Sequence, residues 1–143
     1  MIFIKIVNGN VSKYPYSFGQ LQADNPGTLF PSIPSSECLV DFNTYIVQET
    51  QKPEYDYKVE KAVDSVFAED GEWIQIWAIE NLPVEVAEAN VRAHRNALIA
   101  ETDWLALSDN IMPLVWKEYR QSLRDVPSQI GFPYAVIWPT KPS

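Results

Sequence analysis

The sequence predicts an α+β protein, with a small antiparallel β domain over residues 1–80 and a two-helix module over residues 81–143. In the first half, short β-branched and aromatic segments alternate with turn residues. After Pro83, apolar residues recur at three- and four-residue steps, which is typical of amphipathic helices. Near the end, Pro133 and Pro139 exclude a helix or a central strand, so an extended arm containing proline and tryptophan is expected to follow the helical hairpin.

Two hairpins are predicted in the β domain. Residues 2–7 alternate, Asn8-Gly9 is a strong hairpin-turn signal, and residues 11–14 can return as the partner strand. A longer hairpin is expected from residues 55–67 and 73–79, joined by the polar turn at residues 69–72.

The region between these hairpins is expected to be irregular. Residues 15–37 contain several prolines and glycines and predict a long loop. Residues 38–40 and 45–48 predict two short strands.

Two helices are predicted in the second half. The first begins near Pro83 and presents a narrow apolar seam, and the second runs from near Pro113 to just before Pro127. The connection over residues 101–112 fits an antiparallel helical hairpin, and residues 132–138 are expected to form the extended arm. The seam of the first helix comprises Val84, Ala87, Val91, His94 and Leu98, and the inner face of the second comprises Val115, Trp116, Tyr119 and Leu123.

Composition and charge exclude several classes of function. The net charge of −8 argues against a general nucleic-acid-binding protein, which needs a basic field. The apolar runs are too short to span a membrane, and the short apolar N-terminus lacks the features of a signal peptide, so we expect folding in a cytoplasm. Cys38 is the only cysteine, which leaves no internal disulfide and predicts a small buried hydrophobic residue.

The sequence contains no recognisable catalytic pattern. We find no phosphate-binding glycine loop, dinucleotide fingerprint or paired-histidine metal motif. His94 lies on the apolar seam, where a histidine is more often a hydrogen-bonded core residue than a base. We therefore predict a protein that is not an enzyme, has no cofactor or metal, and acts by recognition.

Recognition is suggested by basic and aromatic residues in the second half. Five of the eleven basic residues lie on the predicted helices, namely Arg92, Arg95, Lys117, Arg120 and Arg124. These residues either lie on solvated helix faces, with Arg124 paired to Asp103 or Asp125, or form a cationic surface that binds an acidic partner. Of the three tryptophans in this half, we expect some to lie in the core and others to contact a partner; they are Trp104, Trp116 and Trp138. Trp138 is the best candidate for insertion into a partner.

Over about residues 85–142, separated residues follow the order and spacing of a known family. They are Arg95-Asn96, Thr102-Asp103-Trp104, Trp116, Tyr119-Arg120-Gln121, Leu123-Arg124-Asp125-Val126-Pro127, Gly131-Phe132-Pro133 and Trp138-Pro139. This set resembles the bacteriophage tail assembly chaperone family, although residues 105–113 form a shorter, more apolar linker than the family often has. The resemblance implies a non-enzymatic protein that binds a phage tail or tail-fibre protein and assists its assembly in the host cytoplasm. The candidate partner-binding residues are Arg92, Arg95, Trp104, Trp116, Tyr119, Arg120, Arg124, Phe132 and Trp138.

Two alternatives stay open at this point. The protein could be a structural component retained in the virion tail, as part of a fibre or baseplate and within a larger oligomeric assembly. It could also be a carbohydrate- or receptor-binding module that uses exposed aromatic residues such as Trp73 and Trp77.

Overall fold

The computed structural model describes residues 1–107 and 111–143, and the chain divides into two compact units. The first unit comprises Met1–Pro53 and Ala62–Ala78, and the second comprises Glu54–Lys61 and Ile79–Ser143. Strands and helices are both present, which confirms the predicted α+β class.

The described residues include five strands, β1 Ile2–Val7, β2 Asn10–Tyr16, β3 Thr44–Gln48, β4 Glu60–Glu69 and β5 Glu72–Asn81. They form one sheet with the strand order β2-β1-β3-β5-β4. Strand β1 pairs antiparallel with β2 and β3, whereas β3 pairs parallel with β5 through Val47 and Trp73. The expectation of a purely antiparallel sheet was therefore wrong at this pair.

Both predicted hairpins are present, and their turns explain why. Asn8 and Gly9 have φ angles of 52° and 78°, and Asp70 and Gly71 have φ angles of 49° and 84°. Two successive residues with positive φ match the right-handed twist of the flanking strands, and Asn-Gly and Asp-Gly adopt this conformation readily.

The long loop predicted over residues 15–37 was wrong, because helix α1 spans Phe18–Asp24 and helix α2 begins at Ser36. Ser17 caps α1: its hydroxyl accepts a hydrogen bond from the Gln20 amide at 3.2 Å, while the Gln20 side chain accepts one from the Ser17 amide at 2.7 Å. Helix α2, Ser36–Val40, also replaces the strand predicted over residues 38–40. In it Cys38 is only half-buried.

The core of the first unit is stabilised by apolar packing and by one carboxylate. Phe3, Tyr16, Leu21 and Leu39 form its buried cluster. Asp24 accepts hydrogen bonds from Lys13 at 2.8 Å, Lys5 at 3.0 Å and the Tyr16 hydroxyl at 2.8 Å, an arrangement that we call the Asp24 cluster. The bond from Lys13, followed by those from Lys5 and Tyr16, holds the pKa of Asp24 well below its usual value.

The second unit contains both helices predicted after residue 80. Helix α3, Val84–Ala100, starts directly after Pro83, and helix α4, Leu114–Asp125, starts directly after Pro113. Ala87 and Val91 are buried on α3, whereas Val84 at the start of the predicted seam is exposed. Short 3-10 turns span Asp103–Ala106 and Val126–Ser128. The predicted hairpin connection includes residues 108–110, which lie outside the described residues.

The predicted extended arm is not confirmed, because the C-terminal segment packs against its own unit. Phe132, Val136 and Trp138 lie against a buried cluster of Val59, Ala87, Val91 and Val126. Polar bonds fix the path of the segment. The Gln129 side chain accepts a hydrogen bond from the Ile137 amide at 2.8 Å and donates one to the Ile137 carbonyl at 2.9 Å. Burial of large apolar side chains therefore determines where this proline-containing segment lies.

Candidate partner-binding surface

Arg120 is a structural residue at the centre of the second unit. Only 7% of it is exposed. Its Nη1 donates to the Ile99 carbonyl at 3.0 Å and to the Thr102 hydroxyl at 2.6 Å, and its Nη2 lies 3.0 Å from the Asp103 carboxylate. The guanidinium thereby joins the end of α3 and the following 3-10 turn to α4. This arrangement leaves little of Arg120 accessible to a partner.

Arg124, on the same helix, is accessible to solvent, unlike Arg120. It is exposed in the last turn of α4, and it makes no ion pair within the described part of the chain. The two carboxylates expected to pair with it are engaged elsewhere: Asp103 binds Arg120, and Asp125 accepts a hydrogen bond from Gln121 at 3.0 Å. Lys117 is likewise exposed and has no ion pair among the described residues.

These two cations line an open groove of about 450 Å³ on α4, which we call the α4 groove. Its remaining lining is mixed, with one carboxylate, one amide and two apolar side chains beside the edge of the buried arginine. The lining residues are Ala106, Met112, Lys117, Glu118, Arg120, Gln121 and Arg124. Because Arg120 is paired with Asp103, the lining has two further cations, Lys117 and Arg124, and one carboxylate, Glu118. The groove is therefore locally positive in a chain whose net charge is −8.

Exposed apolar side chains lie in the same part of the second unit. Ile111 is 96% exposed and Leu114 is 68% exposed, although Leu114 begins a helix. Contiguous exposed apolar surface is typical of interaction sites, and five such side chains lie within residues 104–115. We call these residues the apolar set: Trp104, Leu107, Ile111, Leu114 and Val115. Except for Trp104, the set was not among the predicted site residues. The signal for it was Leu114-Val115 directly after Pro113, in the first turn of the helix.

The two arginines on α3, Arg92 and Arg95, bond to residues outside the α4 groove. Arg92 pairs with Glu88 at 2.6 Å and stacks over the Phe132 ring at 5.0 Å. Arg95 donates two hydrogen bonds to the Asn96 side chain, at 2.8 Å and 3.0 Å. Both side chains thus have local partners, and the five basic residues that the sequence brought together do not share one bonding environment.

The remaining aromatic candidates lie partly or wholly within the packed interior. Tyr119 is buried, and the half-buried Trp116 ring meets it edge-on at a centroid distance of 6.0 Å. Trp138 is half-buried and meets the His94 ring edge-on at 4.7 Å. Trp104 is the most exposed of these aromatic residues, at 59%.

The first unit contains, besides the Asp24 cluster, a polar network of Tyr14, Asp64 and Gln75. The Tyr14 hydroxyl bonds the Asp64 carboxylate at 2.5 Å, and the Gln75 amide donates to Asp64 at 2.8 Å and to Tyr14 at 3.1 Å. Burial, reinforced by Asp64, raises the pKa of Tyr14 to about 12, so its phenol stays protonated at neutral pH. The network is internally satisfied, and we assign it a structural role.

Three observations on the described ranges concern metal, glycan and membrane binding. Residues 1–107 and 111–143 include no group of three or more His, Cys, Asp or Glu side chains able to hold a metal ion. Trp77, considered for glycan contact, donates to the Thr50 carbonyl at 3.4 Å and has Lys52 over its ring. Within the same ranges, no helix is both long and apolar enough to cross a membrane.

Comparison with known proteins bears on the second unit. Residues 88–143 match the sequence model of the family described as phage tail assembly chaperone protein. No curated protein and no solved structure shows a significant match to the chain. The matched range contains α4, the α4 groove and the whole apolar set. The match supports a role in phage tail assembly, and it confirms the resemblance of the C-terminal module to the phage tail assembly chaperone family.

Proposed function

We propose that this protein is a non-enzymatic chaperone that binds a phage tail or tail-fibre protein and assists its assembly in the host cytoplasm. The observation that carries the proposal is the exposed apolar set inside the range that matches the family. A chaperone of this kind needs accessible apolar surface in order to cover the corresponding surface of an unassembled partner.

The energetics are consistent with reversible binding. Fully burying one Leu, Ile or Val side chain contributes roughly 1.5–3 kcal/mol. The four Leu, Ile and Val side chains of the apolar set would thus contribute roughly 6–12 kcal/mol if fully buried. This is comparable with the roughly 4–15 kcal/mol of lost motional freedom on association, so net binding also depends on polar contacts. Binding that favours the assembly-competent state of the partner then stabilises that state by mass action.

The proposal is tested by co-expressing the protein with each tail and tail-fibre protein of a phage that encodes it. The wild-type chain should retain one of these proteins in a pull-down, and the double variant Leu114→Ser/Val115→Ser should lose it. The matched control is Ile130→Ser, because Ile130 is a fully exposed apolar residue of the same unit that lies outside the apolar set. Retention of no tail protein by the wild type, or equal retention by both variants, would overturn the proposal.

A second measurement distinguishes transient from permanent binding. Mass spectrometry of purified particles and of infected-cell lysate should find the protein bound to its partner in the lysate and depleted from the particle. Stoichiometric recovery from the particle would instead identify a structural tail component.

A further inference from the structure

We propose that the α4 groove receives an acidic segment of the tail protein, whose carboxylates pair with Lys117 and Arg124. This inference rests on the proposed function and specifies the chemistry of the partner. It depends on charge complementarity: the groove presents two cations without an ion pair in the described ranges, although the chain as a whole carries a net charge of −8.

The spacing of these cations defines the ligand. Lys117, Gln121 and Arg124 follow one another at four- and three-residue steps, which places them along one face of α4. Seven residues of α-helix rise about 10 Å. A polyproline II segment covers about 9 Å in three residues, and because it has three residues per turn, side chains three residues apart lie on the same face. The groove therefore suits carboxylates three residues apart on a polyproline II segment, one for Lys117 and one for Arg124.

The other cations of this module are less suited to such a ligand. Arg92 is paired with Glu88, and Arg120 is buried against Asp103. Lys141 pairs with Glu101 at 2.9 Å. An incoming carboxylate would have to displace a protein carboxylate at each of these positions, whereas neither Lys117 nor Arg124 has an ion pair within residues 1–107 and 111–143.

Apolar contacts complete the site. Ala106 and Met112 line the groove, and Leu114 and Val115 are exposed on the first turn of the helix that carries the cations. The segment that fits therefore carries apolar side chains beside its carboxylates. A purely acidic chain would leave the apolar part of this surface in water.

The test uses the full-length chain and a short fluorescein-labelled peptide with glutamate at every third position and leucine between. In a fluorescence anisotropy titration, binding should weaken as salt rises. The double variant Lys117→Glu/Arg124→Glu should bind about tenfold or more weakly. The control Lys61→Glu/Lys141→Glu changes net charge equally at exposed lysines of the same unit and should bind as the wild type does. A peptide with lysine in place of glutamate should not bind.

Three outcomes would overturn the inference. The peptide could bind both double variants equally, or the lysine peptide could bind as well as the glutamate peptide. Alternatively, size-exclusion chromatography could show a homo-oligomer that only Lys117→Glu/Arg124→Glu dissociates, which would make a second copy the occupant. Failure here is distinguishable from failure of the proposed function, because Lys117→Glu/Arg124→Glu would then still retain the tail protein that Leu114→Ser/Val115→Ser loses.

Discussion

Replacing Arg120 should destabilise the second unit even though sequence alone places this residue on a recognition surface. The guanidinium is nearly fully buried and holds the Ile99 carbonyl, the Thr102 hydroxyl and the Asp103 carboxylate. Arg120→Met preserves much of the side-chain length while removing all three bonds.

The magnitude follows from what each partner loses. Leaving a buried acceptor without its donor costs about 1–3 kcal/mol. The Thr102 hydroxyl keeps its 2.8 Å bond to the Ile99 carbonyl, and the Asp103 side chain is 62% exposed and can return to water. Both facts lower the cost below the ~3–5 kcal/mol typical of breaking a fully buried pair. We expect the free energy of unfolding to fall by about 2–3 kcal/mol.

Urea denaturation followed by circular dichroism measures this loss directly. Arg124→Met is the matched control, because it removes an exposed arginine of the same helix and should change stability by less than about 0.5 kcal/mol. If Arg120→Met were as stable as Arg124→Met, the polar network would contribute no net stability and the structural assignment of Arg120 would be wrong.

Four further predictions concern single residues of the two units. Because the pKa of Asp24 is lowered by folding, its contribution is present above its ordinary pKa and is lost as the pH falls below about 4. Asp24→Asn should therefore lower the melting temperature at neutral pH and flatten its dependence on acid. Gly131→Ala would place a Cβ atom 2.2 Å from a backbone oxygen and should cost about 1–3 kcal/mol. Gly19→Ala, with open space around the added carbon, should be neutral or stabilising in the same thermal scan. Trp138→Ala should lower the free energy of unfolding by about 2 kcal/mol in urea, because its ring packs on the core of its unit. Unchanged stability would restore Trp138 as a surface anchor.

Local sequence signals were sufficient to predict the two β-hairpins and the two long helices. Asn8-Gly9 and Asp70-Gly71 specify turns through their own backbone preferences, which depend little on distant residues. Pro83 and Pro113 likewise mark helix starts wherever an amphipathic pattern follows them. These elements were predictable because their determinants lie within a few residues.

The two short helices of the first unit were missed although one carried a readable signal. Ser17 and Gln20 form a capping box, a pattern recognisable from their three-residue spacing. The surrounding prolines and glycines favoured a loop prediction over this capping signal. A helix of seven residues also has little intrinsic stability, so the local sequence alone does not predict it. Helix α1 is instead held by long-range contacts, with Leu21 in the core and Asp24 in its cluster.

The site was predictable in composition and not in arrangement. Basic and aromatic residues in the second half pointed to the C-terminal module as the candidate surface, and the family match covers residues 88–143. Sequence periodicity cannot show that Arg120 faces inward, since its partners arrive through the connection after α3. The prolines near Trp138 correctly excluded regular structure and carried no information about which surface the segment would cover.

The burial of Arg120 also explains why a cation remains available in so acidic a protein. Asp103 was one of two carboxylates expected to pair with Arg124, and in the structure it binds Arg120 instead. The other, Asp125, is engaged by Gln121. A core interaction thus occupies a charge that would otherwise neutralise the helix surface. The same contact that stabilises the second unit leaves Arg124 exposed beside Lys117 in the α4 groove, where an acidic partner can reach both.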